Sequence, residues 1–180
     1  MGSNSSLKFD KIDKKIITLL QKDSTLTHDE IAERIGRSQP TIGIRLRKLL
    51  KSGEFHIQPG INFKSVDLHM ARLRLVADMP EKLFDISQFC PYVLNCFLMN
   101  GDFNVFLFIV STHLEDIDSI VNEHYRKSKW IKKVEMEIVL DIAKDLILPM
   151  KFEQQEDHSP SDPNTCIKKC PFCNSEPLTP

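Results

Sequence analysis

The strongest restriction on the fold is a change of apolar period part-way along the chain. Up to residue 53, apolar side chains recur every three to four positions; from residue 69 on, stretches in which they alternate with polar ones, such as "HMARLRLVAD" and "VEMEIVL", also appear. The first spacing is that of amphipathic helices, the second that of half-buried strands. The chain therefore needs an all-helical part and a part containing a sheet. A length of 180 residues accommodates these around one core or as two small domains.

Three helices are expected in the first part. "DKIDKKIITLLQKD" carries Ile12, Ile16, Leu19 and Leu20 on one stripe, with Asp10 as a cap. "STLTHDEIAERIG" offers Thr27 and Glu30 as a capping box, Ile31 and Ile35 on one face, and Gly36 as a stop. "GRSQPTIGIRLRKLLKSG" supplies Ser38 as an N-cap, Pro40 in the first turn, a stripe of Ile42, Leu46, Leu49 and Leu50, and Gly53 as the end. The join "GRS" between the second and third helices is short enough for a helix-turn-helix. "EFHIQPGINFKSV" reads as an extended connector broken at Pro59-Gly60.

The second part gives a strand in "HMARLRLVAD" (Met70, Leu73 and Leu75 apolar) and a short helix in "EKLFDISQFC". "YVLNCFLMNGDFNVFLFIVST" gives two strands hinged at Asn100-Gly101-Asp102. A helix in "LEDIDSIVNEHYRK" has Leu114, Ile117, Ile120, Val121 and Tyr125 on one side. A last strand opens "VEMEIVLDIAKDL", with Val134, Met136, Ile138 and Leu140 on one face. That order is β-α-β-β-α-β, the ferredoxin-like arrangement, which leaves one sheet face without a helix, to meet solvent or, in preference, a second subunit. The expected class is α+β, with a helix-turn-helix (winged-helix-like) domain at 8–53, a β connector at 54–66, a ferredoxin-like oligomerisation domain at 67–150 and a flexible tail at 151–180. Five of the ten prolines fall between Pro160 and Pro180, in polar surroundings that build no core.

Charge separates the parts further. Residues 8–58 hold eleven Lys and Arg against seven Asp and Glu, while the rest holds thirteen against eighteen, within an overall net charge of −1. A basic front on an acidic body implies an anionic partner for the front. The third helix is the most basic segment and contains no acid. A helix in the major groove needs base-contacting side chains near its start and phosphate partners around it. Ser38, Gln39 and Thr41 suit the first role, Gln39 through paired hydrogen bonds to adenine. Arg37, Arg45, Arg47, Lys48 and Lys51 supply charge, with Lys51 the least specific of them. Gly43 removes a side chain from the helix surface, opening the backbone to close approach or leaving a weak spot.

The tail motif "CIKKCPFC" places Cys166, Cys170 and Cys173 at thiolate spacing, with zinc as the fitting ion. His158, a partner chain or water would complete the shell. A redox-responsive thiol pair and an inert tail remain alternatives. Cys90 and Cys96 read as small core residues. No histidine pair has helical metal-site spacing, and no nucleophile stands beside a base, so an enzyme is disfavoured. No apolar run is long enough to span a membrane and no secretory signal is recognisable, so a cytoplasmic location is expected.

The order of parts resembles the Lrp/AsnC (feast/famine) transcription regulators. "KIDKKIITLLQKD" is similar to that family's opening helix, "IAERIGRSQPTIGIRLRKLLKSG" to its "IA…G.S..TV..R…L...G" segment, "NGDFNVFLFIV" to its "GDYD" turn and following strand, and "VEMEIVLDIAKDL" to its last strand. The resemblance covers about residues 8–148. It implies a non-enzymatic, sequence-specific DNA-binding regulator, a dimer or an oligomer of dimers, with palindromic double-stranded DNA as partner. It also implies a small amino-acid effector at a subunit interface, where Gly101 lets backbone amides meet a carboxylate and Asp102 holds an ammonium group. Asn104 stands where the family has a second Asp, which implies a weaker or different effector, or none. The competing reading is a metal- or redox-sensing oligomer whose helical domain makes protein contacts.

Overall fold

A computed structural model describes residues 9–151. They form two compact units that divide between Gln58 and Pro59.

The first unit is helical: α1 Lys11–Lys22, α2 His28–Ile35 and α3 Gln39–Lys51. Asp10 caps α1 by accepting from the amides of Ile12 and Asp13, and the Asp13 carboxylate accepts from the Asp10 amide in return. Thr27 and Glu30 make the same reciprocal box at α2. Ile16, Leu20, Ile31, Ala32, Ile42, Leu46 and Leu49 close one core, completed by Leu26 from the α1–α2 loop. Leu50, expected in that core, is 41% exposed. Helical spacing allows a stripe to include position 50, but the two partner helices cover only the side reached by positions 42, 46 and 49.

The second unit contains β1 Ile61–Asn62, β2 His69–Ala77, α4 Pro80–Phe89, β3 Val93–Leu98, β4 Val105–Ser111, α5 Leu114–Ile120 running into a π turn Val121–Arg126, β5 Ile131–Ile138 and β6 Ile147–Leu148. The four long strands form an antiparallel sheet in the order β3-β4-β2-β5. This is the ferredoxin-like topology expected from the order of elements. Ala71, Leu73, Leu75 and Ala77 of β2 meet Leu83 of α4 and Ile117 and Ile120 of α5 in the main core. Cys96 is buried there, and burial pushes its thiol pKa up. Met70, grouped above with Leu73 and Leu75, faces the other way, as a period of two demands. It joins Phe63, Val110 and Leu148 in a satellite core beneath β1 and β6. β5 ends at Ile138, so Leu140 leaves the expected strand face and is 94% exposed.

The helix-free face has an ordered cross-section. Phe97, Phe106, Arg74 and Glu135 lie side by side across the sheet, next to a row of Phe108, Arg72 and Glu137. Arg72 pairs with Glu137 and Arg74 with Glu135.

The pairing of β1 with β6 needs a glycine. A Cβ on Gly60 would lie 2.6 Å from the Leu148 carbonyl oxygen and 2.7 Å from Ile147 Cγ2. Backbone must move to admit it. Gly60→Ala should therefore destabilise the second unit by about 1–3 kcal/mol, the range for overpacking. The loss is expected as a lower urea midpoint together with faster hydrogen exchange at Phe63, whose amide bonds to Leu146 O.

Candidate nucleic-acid interface

The geometry of the first unit starts from the turn between α2 and α3. Gly36 adopts φ 72° and ψ 48°, and its amide bonds to Ala32 O at 2.9 Å. The Arg37 amide also reaches Ala32 O, at 3.0 Å. This left-handed stop lets the chain reverse within three residues before Ser38. Ser38 occupies the N-cap position of α3, but its hydroxyl makes no cap bond; it lies 2.8 Å from the Thr41 hydroxyl instead. Unlike α1 and α2, α3 thus keeps its first amides clear of any side-chain cap, and Pro40 brings no amide of its own. Gln39 is exposed at the first helical position, and Arg37 is exposed beside it with its guanidinium on Gly36 O at 2.9 Å.

Arg45 is not the unopposed cation that the sequence led us to expect. Its guanidinium is 2.6 Å from Asp10 and 2.8 Å from Asp13, and its side chain is 29% exposed. One nitrogen thereby ties the middle of α3 to the N-terminal cap of α1, across 35 residues of sequence. The Asp13 amide, and then Arg45, hold the Asp10 carboxyl at about 2, below its usual 3.8, and the two carboxylates raise the pKa of Arg45. The carboxyl groups of Glu30 and Asp23 are lowered as well, by the Thr27 amide and by the Thr25 hydroxyl. A depressed carboxylate pKa stabilises the fold above the unfolded value, and that contribution disappears as pH falls through the folded one. The first unit should therefore lose stability between pH 4 and pH 2, and Asp10→Asn should flatten that limb of a thermal-melt pH series.

With Arg45 engaged, the outward stripe of α3 consists of Ile44, Arg47, Lys48 and Lys51, all exposed. Together with Ser52 they line a shallow open groove of about 450 Å3. Among the described residues, none of the three cations has an acidic partner. Ile44 was missed in the sequence because it falls off the buried stripe yet is apolar; it is 66% exposed. Gly43 faces α2 rather than solvent: a Cβ there would sit 3.5 Å from His28 Nδ1, an ordinary contact. Gly43→Ala should consequently fit and raise the stability of the first unit by about 1 kcal/mol through helix propensity, read from a urea titration. A loss of stability would show that the α2–α3 contact is tighter than drawn.

In the second unit, the β3–β4 turn is closed by the Met99 amide on Asn104 O at 2.9 Å. Both polar atoms of the Asn104 side chain are engaged. Its Oδ1 accepts from the Ala77 amide at 2.9 Å and its Nδ2 donates to Ala77 O at 2.7 Å. The side-chain amide imitates a ladder pair at the end of β2. Gly101 and Asp102 lie exposed at the tip, and the Phe103 ring lies 4.7 Å from the Arg74 guanidinium and 4.6 Å from the Lys133 ammonium. Cys166, Cys170, Cys173 and His158 lie outside the described residues. Among the described residues no cluster of metal-ligating side chains is found.

A short-turned helix pair whose second helix presents cations and an open N-terminus, followed by a ferredoxin-like sheet, defines a class: helix-turn-helix DNA-binding regulators with a C-terminal α+β domain. The comparisons agree. A profile of winged helix-turn-helix DNA-binding domains matches residues 9–53. The HTH-type transcriptional regulator LrpA of Pyrococcus horikoshii is 27% identical over 139 residues, 75% of this chain and 99% of that protein. A transcriptional regulator of Neisseria meningitidis, solved as its complex with L-Met, superposes with a TM-score of 0.68 at 25% identity, over 81% of this chain and 99% of that one. AsnC of E. coli shares the fold, with a TM-score of 0.64 at 16% identity over 77% and 97% of the two chains. The chain carries a winged helix-turn-helix DNA-binding domain and is similar over most of its length to HTH-type transcription regulators, with the fold of AsnC.

Proposed function

We propose that the protein recognises a specific duplex sequence by laying α3 in the major groove. Arg47, Lys48 and Lys51 contact phosphates, and Arg37 contacts the adjoining backbone. Ser38, Gln39 and Thr41 sit at the helix start, where base edges and phosphates come within reach. Arg45 acts through Asp10 and Asp13 by seating the helix. The observation that carries this reading is the outward cation stripe, which has no acidic partner in its own unit. Duplexes selected from a random pool and titrated by fluorescence anisotropy test it. Binding should weaken steeply with salt as phosphate contacts release counterions. Equal and negligible affinity for selected and random duplexes at low salt would overturn it.

The helix-free sheet face, with Phe97, Phe106 and Phe108 beside Arg72 and Arg74, supports pairing with a second copy. A two-fold dimer would read palindromic DNA, and dimers of dimers extend that footprint. Phe97→Arg should lower the sedimenting mass toward that of the single chain. Gly101 and Asp102 are the proposed contacts for an amino-acid effector, a reading supported by the L-Met complex of the Neisseria regulator. Calorimetry against the twenty amino acids tests it, and no heat from any of them removes it. The spacing Cys166-x3-Cys170-x2-Cys173, with His158, supports a zinc ion held by the tail. Metal content in wild type and Cys170→Ser decides, and equal, negligible zinc ends the idea. Such a regulator works in the compartment that holds the DNA, here taken as the cytoplasm.

A further inference from the structure

We infer that Ile44 is a specificity determinant that reads a thymine methyl group in the major groove, a role that rests on the placement of α3 proposed above. Ile44 is 66% exposed in the middle of α3 and belongs to no core cluster. Helix propensity does not account for it, because a β-branched residue is a poorer helix former than the Lys and Arg around it.

Position is the informative part. Arg47 and Lys48 lie three and four residues after Ile44, Pro40 four before it and Lys51 four and three after Arg47 and Lys48, so these side chains share the outward face of the helix. Ile44 forms one wall of the shallow groove whose other walls are Arg47, Lys48, Lys51 and Ser52. Cations on this stripe bring the helix against phosphate-flanked duplex, and an apolar side chain between them then meets the floor of the major groove. There the one apolar group on a base edge is the C5-methyl of thymine. An apolar side chain with three cations along the next two turns fits that chemistry better than it fits a second copy, whose approach would set like charges against each other.

The test uses the full chain and a duplex selected from a random pool. Each thymine is replaced in turn by deoxyuridine, which removes only the methyl group. For wild type, one position per half-site should lose about fourfold in affinity, the value of one buried methyl. Ile44→Ala should bind the thymine and deoxyuridine duplexes equally, while keeping its low-salt affinity for random duplex. Ile44→Lys should bind random duplex more tightly and also show no methyl preference. An unchanged methyl preference in both variants, or none in wild type while duplex is still bound, overturns the role of Ile44 and leaves the DNA-binding reading standing. A drop in oligomer mass in Ile44→Ala assigns the patch to protein contact and overturns it as well. Absence of duplex binding by every form overturns both.

Discussion

Arg47→Ala/Lys48→Ala/Lys51→Ala should bind its selected duplex roughly 10²–10³-fold more weakly than wild type near 0.1 M salt, counted per DNA-bound protomer. The magnitude follows from counterion release. Each phosphate neutralised contributes about 0.9 to the slope of log K against log salt, so three lost contacts reduce that slope by roughly 2.7. All three side chains are exposed, so the triple variant should melt at the wild-type temperature. Arg45→Ala is the informative contrast. Its guanidinium holds Asp10 and Asp13, so its removal should lower the melting temperature of the first unit and leave the salt slope of the folded protein unchanged. If Arg45→Ala removed one unit of slope and the triple variant none, the roles would be reversed and the placement of α3 wrong.

Asn104→Asp should destabilise the second unit by roughly 1–3 kcal/mol, the cost of leaving a bonded partner unsatisfied. Asparagine gives Ala77 both an acceptor and a donor, at 2.9 and 2.7 Å. A carboxylate keeps the acceptor but turns a second lone-pair oxygen toward the Ala77 carbonyl. Ala77 is buried, so water does not easily replace the lost bond. The variant carboxyl needs its proton to donate. Its pKa should therefore rise in the folded state, and the penalty should shrink as pH falls through that raised value. Urea titrations of wild type and variant at neutral and acidic pH test this, with the gap narrowing on the acid side. A variant as stable as wild type at neutral pH would show that the Ala77 bracket contributes little. The same bracket bears on the effector proposal: with Asn104 committed to the backbone, the contacts proposed at this turn fall to Gly101 and Asp102.

Much of this was legible in the residues. The three helices, their stops at Gly36 and Gly53 and the β-α-β-β-α-β order follow from local spacing and capping chemistry. What escaped is what local spacing cannot carry. Arg45 looked unopposed because its acids lie 35 and 32 residues earlier, on another helix. Met70 was grouped with Leu73 although strand geometry places them on opposite faces, and only the distant Phe63 and Leu148 explain its burial. Leu50 and Ile44 are both apolar residues of α3 outside the core: spacing wrongly put Leu50 on the buried stripe, and it left Ile44 off that stripe with no role to give it. Asn104 read as a loss of charge, while its real work is a pair of hydrogen bonds to a residue 27 positions away.

The placement of α3 against DNA is tested most directly by backbone-amide NMR of the labelled full chain titrated with its selected duplex. Shift changes should concentrate on Arg37–Lys51, largest from Ser38 to Thr41 and around Ile44, Arg47 and Lys48. Changes confined to residues 59–151, with α3 unaffected, would contradict the assignment of this helix to the DNA groove.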